Sequence, residues 1–218
     1  MRYREEQAER KAGKRDMIVM TAAELFLQYG VQPVSMTQIA DACEMGVATL
    51  YRYFGTKSGI LLEAGALLWS DLAALFEGIF ETDGYREKSG FAQLEELLGF
   101  FLMLYEEQKA FLRFVRQFDL FVLQEQLPAE KLEPYQDSLL HLYPLFESAY
   151  QKACGEGSAR SGLNAKTVYS SVSHALISTS QKFLEGDVVP EDREADKTAE
   201  LKQLIDMALY YLKKPERP

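Results

Sequence analysis

The apolar positions of this chain recur at i, i+3, i+4 and i+7 over long stretches, which is the spacing of one face of an α-helix. No stretch shows a convincing strand pattern, and loops are expected at 82–90, 127–134 and 154–162. The pattern therefore predicts an all-α chain of about nine helices. The expected helices are 18–29, 36–43, 47–54, 57–81, 91–108, 109–126, 134–153, 163–185 and 191–213.

The amino-terminal part carries short helices on either side of a tight turn. Ser35 and Gln38 have the spacing of a capping box, which starts a helix, and a turn follows at 44–46. In the next helix Leu50 and Phe54 are four positions apart and point inward, which leaves its other side chains outside. Such a helix-turn-helix can place its second helix in the DNA major groove. The small core is expected to contain Phe26, Ile39, Leu50 and Phe54.

Residues 17–62 closely resemble the tetracycline-repressor (TetR) family of transcriptional regulators. The matching segments are AAELFLQYG, SMTQIADAC and VATLYRYFGTKSGILL. The resemblance implies a helix-turn-helix DNA-binding domain over residues 1–56 and a helical ligand-sensing and dimerisation domain over 57–218. It also implies a homodimer that presents two recognition helices to a pseudo-palindromic operator in double-stranded DNA.

Carried over by position, the resemblance implies a set of DNA-binding residues. They are Ser35, Thr37, Val47, Ala48, Thr49, Tyr51, Arg52, Tyr53 and Lys57. Hydroxyls and cations suit phosphate oxygens, whereas Val47, Ala48 and the edge of Tyr51 suit thymine methyl groups. Because positions 47–49 hold no Arg, Asn or Gln, DNA shape is expected to supply part of the specificity.

Three positions depart from the family pattern. Glu44 stands where the turn often has Gly, and Gly46 stands where a Ser often caps the recognition helix. After Thr56, Gly59 replaces the acidic residue that completes the next capping box. These departures predict a less rigid DNA-binding domain with its motif intact.

The charge of the chain is unevenly distributed. Its net charge is −9, yet residues 1–61 hold eight Lys/Arg and seven Asp/Glu, so the excess acid lies in the remainder. Acidic groups farther from the phosphates than a Debye length of roughly 8 Å are largely screened. A basic arm reaching DNA and a frayed, solvated terminus are both compatible with the amino-terminal cations. These cations are Arg2, Arg4, Arg10, Lys11, Lys14 and Arg15.

Aromatic residues are concentrated in the second part of the chain. They can line an apolar cavity that binds a small molecule, or they can simply fill the core. The candidate ligand-binding residues are Phe101, Tyr105, Phe114, Gln117, Phe118, His141, Tyr143 and Phe146.

The last two predicted helices are the best candidates for self-association. One is rich in Ser and Ala, which permits close approach of a partner. The other carries an apolar stripe at helical spacing, formed by Leu201, Leu204, Ile205, Ala208, Leu209 and Leu212. The family resemblance implies a homodimer through these two helices, with a four-helix interface formed by two copies.

The residue pattern argues against an enzyme, a metal site and a cofactor. The two cysteines and two histidines have no partners at ligand or triad spacing, and no Gly-rich phosphate loop appears. No membrane span is expected, since no run of 18 apolar residues exists. The charged amino terminus lacks an apolar signal region, which predicts a cytoplasmic protein.

The favoured function is a sequence-specific DNA-binding repressor that a small apolar or amphipathic ligand releases from its operator. An activator or co-regulator on the same fold is the main alternative. A helical small-molecule-binding protein without DNA binding is another, and a helical enzyme using the aromatic cavity is the least favoured.

Overall fold

The computed structural model describes the backbone of residues 2–139, 142–186 and 195–215, and the side chains of 12–133, 135, 142–186 and 195–215. Over these ranges the chain forms eleven helices and no strand, which confirms the all-α prediction. The helices are α1 Arg2–Tyr29, α2 Met36–Ala42, α3 Val47–Phe54, α4 Lys57–Phe80, α5 Asp83–Arg86, α6 Gly90–Glu107, α7 Lys109–Gln124, α8 Ala129–Leu139, α9 Leu142–Gly155, α10 Ala165–Glu185 and α11 Lys197–Leu212.

Two helices of the structure were not expected from the periodicity. The short α5 forms inside the predicted loop 82–90, because Thr82 Oγ1 caps it by accepting the Tyr85 N–H at 3.2 Å. Helix α8 begins inside the predicted break 127–134, directly after Pro128. The chain does break at 125–128, but the predicted loop 127–134 was too long, because α8 already runs from 129.

The chain divides into two compact units. Unit 1 consists of Met1–Ala73 and Arg113–Leu139. Its core contains the four side chains expected from the sequence together with aromatic residues from α7 and α8. Phe114 packs against Phe26 with 6.5 Å between ring centroids, and Phe118 stacks on Tyr135 at 4.1 Å. The second half of α7 therefore belongs to the same compact body as the helix-turn-helix.

Helix α4 is long and apolar enough to cross a membrane by length and composition alone. In this structure, however, Ile60, Leu61 and Ala64 are fully buried. Glu63 on the same helix forms an ion pair with Arg15 of α1. These contacts are those of a core helix in a globular protein.

Unit 2 consists of Ala74–Leu112 and Leu140–Pro218, and its centre is the packing of α6 on α9. The start of α6 approaches α9 so closely that a Cβ on Gly90 would overlap the backbone of Ala149 and Ala153. The Gly90 N–H also donates to Glu156 Oε2 at 2.8 Å. Helices α10 and α11 then complete the packing around α6.

The apolar stripe of α11 packs inside its own chain. Leu201, Ile205 and Leu212 are buried, and α11 lies against α6 and α10. The expectation that this stripe faces a second copy was therefore wrong for these three residues, because the core of unit 2 already covers them. The apolar side chains that α11 exposes are Met207, Tyr210 and Tyr211.

Candidate nucleic-acid interface

The first helix of the motif starts as expected. Ser35 has extended backbone angles, and its Oγ accepts the Gln38 N–H at 3.2 Å. The Gln38 Oε1 in turn accepts the Ser35 N–H at 2.8 Å. Both halves of the capping box are thus present, and they fix the orientation of the α2 N-terminus, where Ser35 and Thr37 are exposed.

The turn between α2 and α3 forces a non-glycine residue into the left-handed region. Glu44 has a φ of 50°, where L-residues other than Asn and Asp are strained. The turn is closed by a 2.9 Å hydrogen bond from the Met45 N–H to the Ala40 carbonyl. Gly46 then caps α3 without a side-chain acceptor. The first two departures from the family pattern therefore leave the turn formed.

Helix α3 presents the faces that its spacing predicts. Leu50 is fully buried and Phe54 is 9% exposed, whereas Val47 is 38% and Tyr51 49% exposed. Ala48 and Arg52 are also exposed, and Thr49 and Tyr53 are half-buried. A short helix thus turns a mixed surface of small apolar, hydroxyl and cationic groups outward.

The corner from α3 to α4 explains the third departure. Gly55 has a φ of 70°, and its N–H donates to the Tyr51 carbonyl at 2.8 Å. Thr56 Oγ1 still accepts the Gly59 N–H at 3.1 Å, so half of the capping box remains. A Cβ on Gly59 would overlap the carbonyl oxygen of Phe54. The glycine is thus required by the close approach of two backbones.

Arg15 joins three helices of unit 1. Its guanidinium binds both carboxylate oxygens of Glu63 and donates to the Tyr53 carbonyl at 3.0 Å. It also lies 4.6 Å from the ring centroid of Phe54. The hydrogen bond to Glu63 raises the pKa of Arg15. Folding thus gives Arg15 partners within unit 1, and its place in a basic arm that reaches DNA stays a prediction.

The side chains of Arg2, Arg4, Arg10 and Lys11 lie outside the described residues. Lys14 is exposed.

Lys57, assigned to phosphate by the resemblance, has partners within unit 1. Its Nζ donates to the Gln32 carbonyl at 3.0 Å and lies 5.8 Å from the ring centroid of Phe121. Burial lowers its pKa, and the charge of Glu125 opposes this shift. Its contact with phosphate stays a prediction.

An apolar cavity in unit 2 contains two of the predicted ligand-binding residues. It has about 210 Å³ of empty space and is lined by Phe76, Leu97, Leu98, Phe101, Leu142, Phe146 and Tyr169. Phe101 and Phe146 belong to the predicted set. Tyr169 was missed, although it is an aromatic residue in an otherwise small and polar segment. It lies 5.5 Å from Phe146 between ring centroids, and burial raises its pKa to about 12.

The other predicted ligand residues lie elsewhere. Phe114, Gln117 and Phe118 belong to unit 1. Tyr105 packs edge-on against another ring, and Tyr143 donates to a glutamate four residues on. His141 lies outside the described residues.

A family model matches part of the sequence, and solved structures match the fold. The family described as "Bacterial regulatory proteins, tetR family" matches residues 18–64. No curated protein matches the sequence significantly.

Many solved structures share the fold. A putative transcriptional regulator from Saccharomonospora viridis in complex with choline is 19% identical, with a TM-score of 0.70 over 94% of this chain and 100% of that one. A putative TetR-family regulator from Rhodococcus sp. is 17% identical, with a TM-score of 0.67 over 90% and 99%. The regulator FadR from Bacillus subtilis in complex with stearoyl-CoA is 15% identical, with a TM-score of 0.60 over 89% and 97%.

At these identities the solved structures show a shared fold, while the sequence match covers the helix-turn-helix whose outward face is described above. Together they show that residues 18–64 match the tetR family of bacterial regulatory proteins and that the fold is shared with solved structures described as TetR-family transcriptional regulators.

Proposed function

We propose that this protein is a dimeric transcriptional repressor that binds operator DNA through α2 and α3 and leaves it when a small apolar molecule occupies unit 2. The observation that carries the DNA-binding role is the outward face of α3, with Val47 and Tyr51 exposed beside the capped start of α2. This face lies within the segment that matches the family.

The side chains on this surface suit DNA in two ways. The hydroxyls of Ser35 and Thr37 stand at the N-terminus of α2, where free backbone N–H groups favour phosphate. The small apolar side chains of Val47 and Ala48 suit thymine methyl groups in the major groove. Arg52 adds a cation on the exposed face. Binding of this kind combines backbone contacts with modest direct readout.

The cavity in unit 2 supports a small apolar or amphipathic effector. Its described lining consists of apolar side chains and one tyrosine, Tyr169, whose pKa burial raises to about 12. The described lining has no charged side chain that could pair with an anionic group, which would lose its hydration there. The complexes of two similar structures with choline and stearoyl-CoA support a ligand-responsive role on this fold.

The outward face of α11 supports a second copy as partner. Tyr210 is 81% exposed, and Met207 and Tyr211 are exposed beside it. An isologous dimer would bury these side chains and present two α3 helices to half-sites about 34 Å, or a multiple of that distance, apart. A cytoplasmic location follows from this role. An activator would use the same surfaces, and a reporter assay in a deletion strain separates the two, because loss of a repressor raises target expression.

DNA binding is tested first by selecting duplexes from a random library with the wild-type protein. The selected duplex is then used in mobility-shift assays with Tyr51→Ala. We expect the substitution to weaken binding about tenfold or more, which is the range for loss of one base contact. Tyr29→Ala, which removes an exposed tyrosine of α1 outside the predicted contact set, is the matched control and should bind like the wild type. Failure of the wild-type protein to select any duplex would favour a helical small-molecule-binding protein without DNA contact.

A further inference from the structure

A hydrogen bond from the DNA-binding part of unit 1 reaches far along the chain to α7. Gln117 Oε1 accepts the backbone N–H of Val31 at 2.7 Å. Val31 follows α1 and is fully buried, so its N–H has no access to water in place of this partner. Gly30 has a φ of 88°, and a Cβ at that position would overlap the same Oε1 atom. The corner between α1 and α2 is therefore shaped around the Gln117 side chain.

Two further contacts lie on the same face of α7. Phe121 lies under the Lys57 ammonium, which donates to the Gln32 carbonyl in this same corner. Gln124 Oε1 accepts a hydrogen bond from Gln32 Nε2 at 3.0 Å. Positions 117, 121 and 124 are spaced i, i+4 and i+7, so they share one stripe of the helix. This stripe holds both the α1–α2 corner and the first residue of α4.

We propose that Gln117 is a positioning residue for DNA recognition, through which α7 sets the orientation of α2 and α3. This inference rests on the proposed function. The corner that Gln117 holds leads directly into the Ser35 cap of α2, and α2 packs on α3. Gln117, which the sequence analysis placed among the ligand-binding residues, thus acts on α2 and α3.

The test compares Gln117→Met, which keeps the length of the side chain and removes the acceptor, with Gln117→Glu, which keeps an acceptor. Gln28→Met, an exposed position on α1, is the control. Amide hydrogen exchange at Val31 is measured on the free proteins. Affinity for the duplex selected by the wild type is measured at a temperature where circular dichroism shows every variant folded.

We expect Gln117→Met to speed exchange at Val31 and to weaken DNA binding, each about tenfold, as one unmet hydrogen bond implies. The salt dependence of binding should not change, since a neutral residue releases no counterions. Gln117→Glu should recover most of both losses, and Gln28→Met should match the wild type. Faster exchange with wild-type affinity would overturn the proposal by leaving Gln117 a purely structural role, and unchanged exchange would overturn the hydrogen bond itself. Failure of the wild type to select DNA would instead refute the proposed function, and the inference with it.

Discussion

At the scale of single residues, the backbone around the recognition helix decides what each position tolerates. Glu44 and Gly59 both differ from the family pattern, but for opposite reasons. Glu44 is strained because its φ of 50° suits glycine, whereas Gly59 is required because any side chain would meet the Phe54 carbonyl. One departure is therefore a weakness of the domain and the other is a packing requirement.

Glu44→Gly is expected to stabilise the protein by about 1 kcal/mol, because it relieves the left-handed conformation. The free energy of unfolding, measured in urea, checks this. Glu24→Gly makes the same chemical change at an exposed position inside α1 and should instead destabilise by about 1 kcal/mol. Loss of stability in Glu44→Gly would mean that the Glu44 side chain makes a contact worth more than the strain.

Gly59→Ala is expected to destabilise the protein by about 1–3 kcal/mol, because the new Cβ forces the α3–α4 corner apart. It should also weaken DNA binding, since α3 ends at this corner. Gly78→Ala in the same helix meets no atom within 4 Å and should stabilise by about 0.5–1 kcal/mol. Thermal unfolding of both variants is the measurement, and equal melting temperatures would refute the close approach.

At the scale of elements, α1, α3 and α4 are joined through one charged side chain. Arg15 binds Glu63 of α4 and the last turn of α3 at Tyr53. Since both side chains of the ion pair are more than a third exposed, solvent screening limits its contribution to about 1 kcal/mol. Its contacts connect α1 to α4 and to the end of α3.

Arg15→Met separates two roles for this cation. If Arg15 only fastens the helices, the substitution lowers DNA affinity while the slope of log affinity against log salt stays unchanged. If Arg15 touches phosphate, the slope falls by about 1. We expect the unchanged slope, and Lys57→Met provides the comparison, because the resemblance assigns Lys57 to phosphate.

At the scale of the whole molecule, the exposed side chains of Met207, Tyr210 and Tyr211 on α11 form the proposed dimer surface. Tyr210→Asp places a charge at the centre of this face and should shift the protein from dimer to monomer in analytical ultracentrifugation, with DNA binding reduced in parallel. Leu123→Asp changes an exposed apolar residue on α7 and should leave the dimer intact. A wild-type monomer at micromolar concentration would contradict the proposed assembly.

The sequence by itself determined the features that depend on neighbours within a few positions. The capping box at Ser35 and Gln38, the buried pair Leu50 and Phe54, and the helical character of the chain follow from local hydrogen bonding and from the period of the helix. The family resemblance over residues 17–62 rests on the same short segments.

Only the tertiary structure decided which partner each buried face meets. Periodicity shows that a side chain turns inward, but it does not show what covers it. Gln117 was therefore placed among the ligand contacts, whereas its Oε1 accepts the N–H of Val31, 86 residues away. Arg15 was grouped with the cations of a basic arm, whereas its guanidinium binds Glu63. An apolar stripe can be buried by the core of its own chain or by a second copy of the chain. The sequence alone therefore assigned the whole stripe of α11 to a dimer interface.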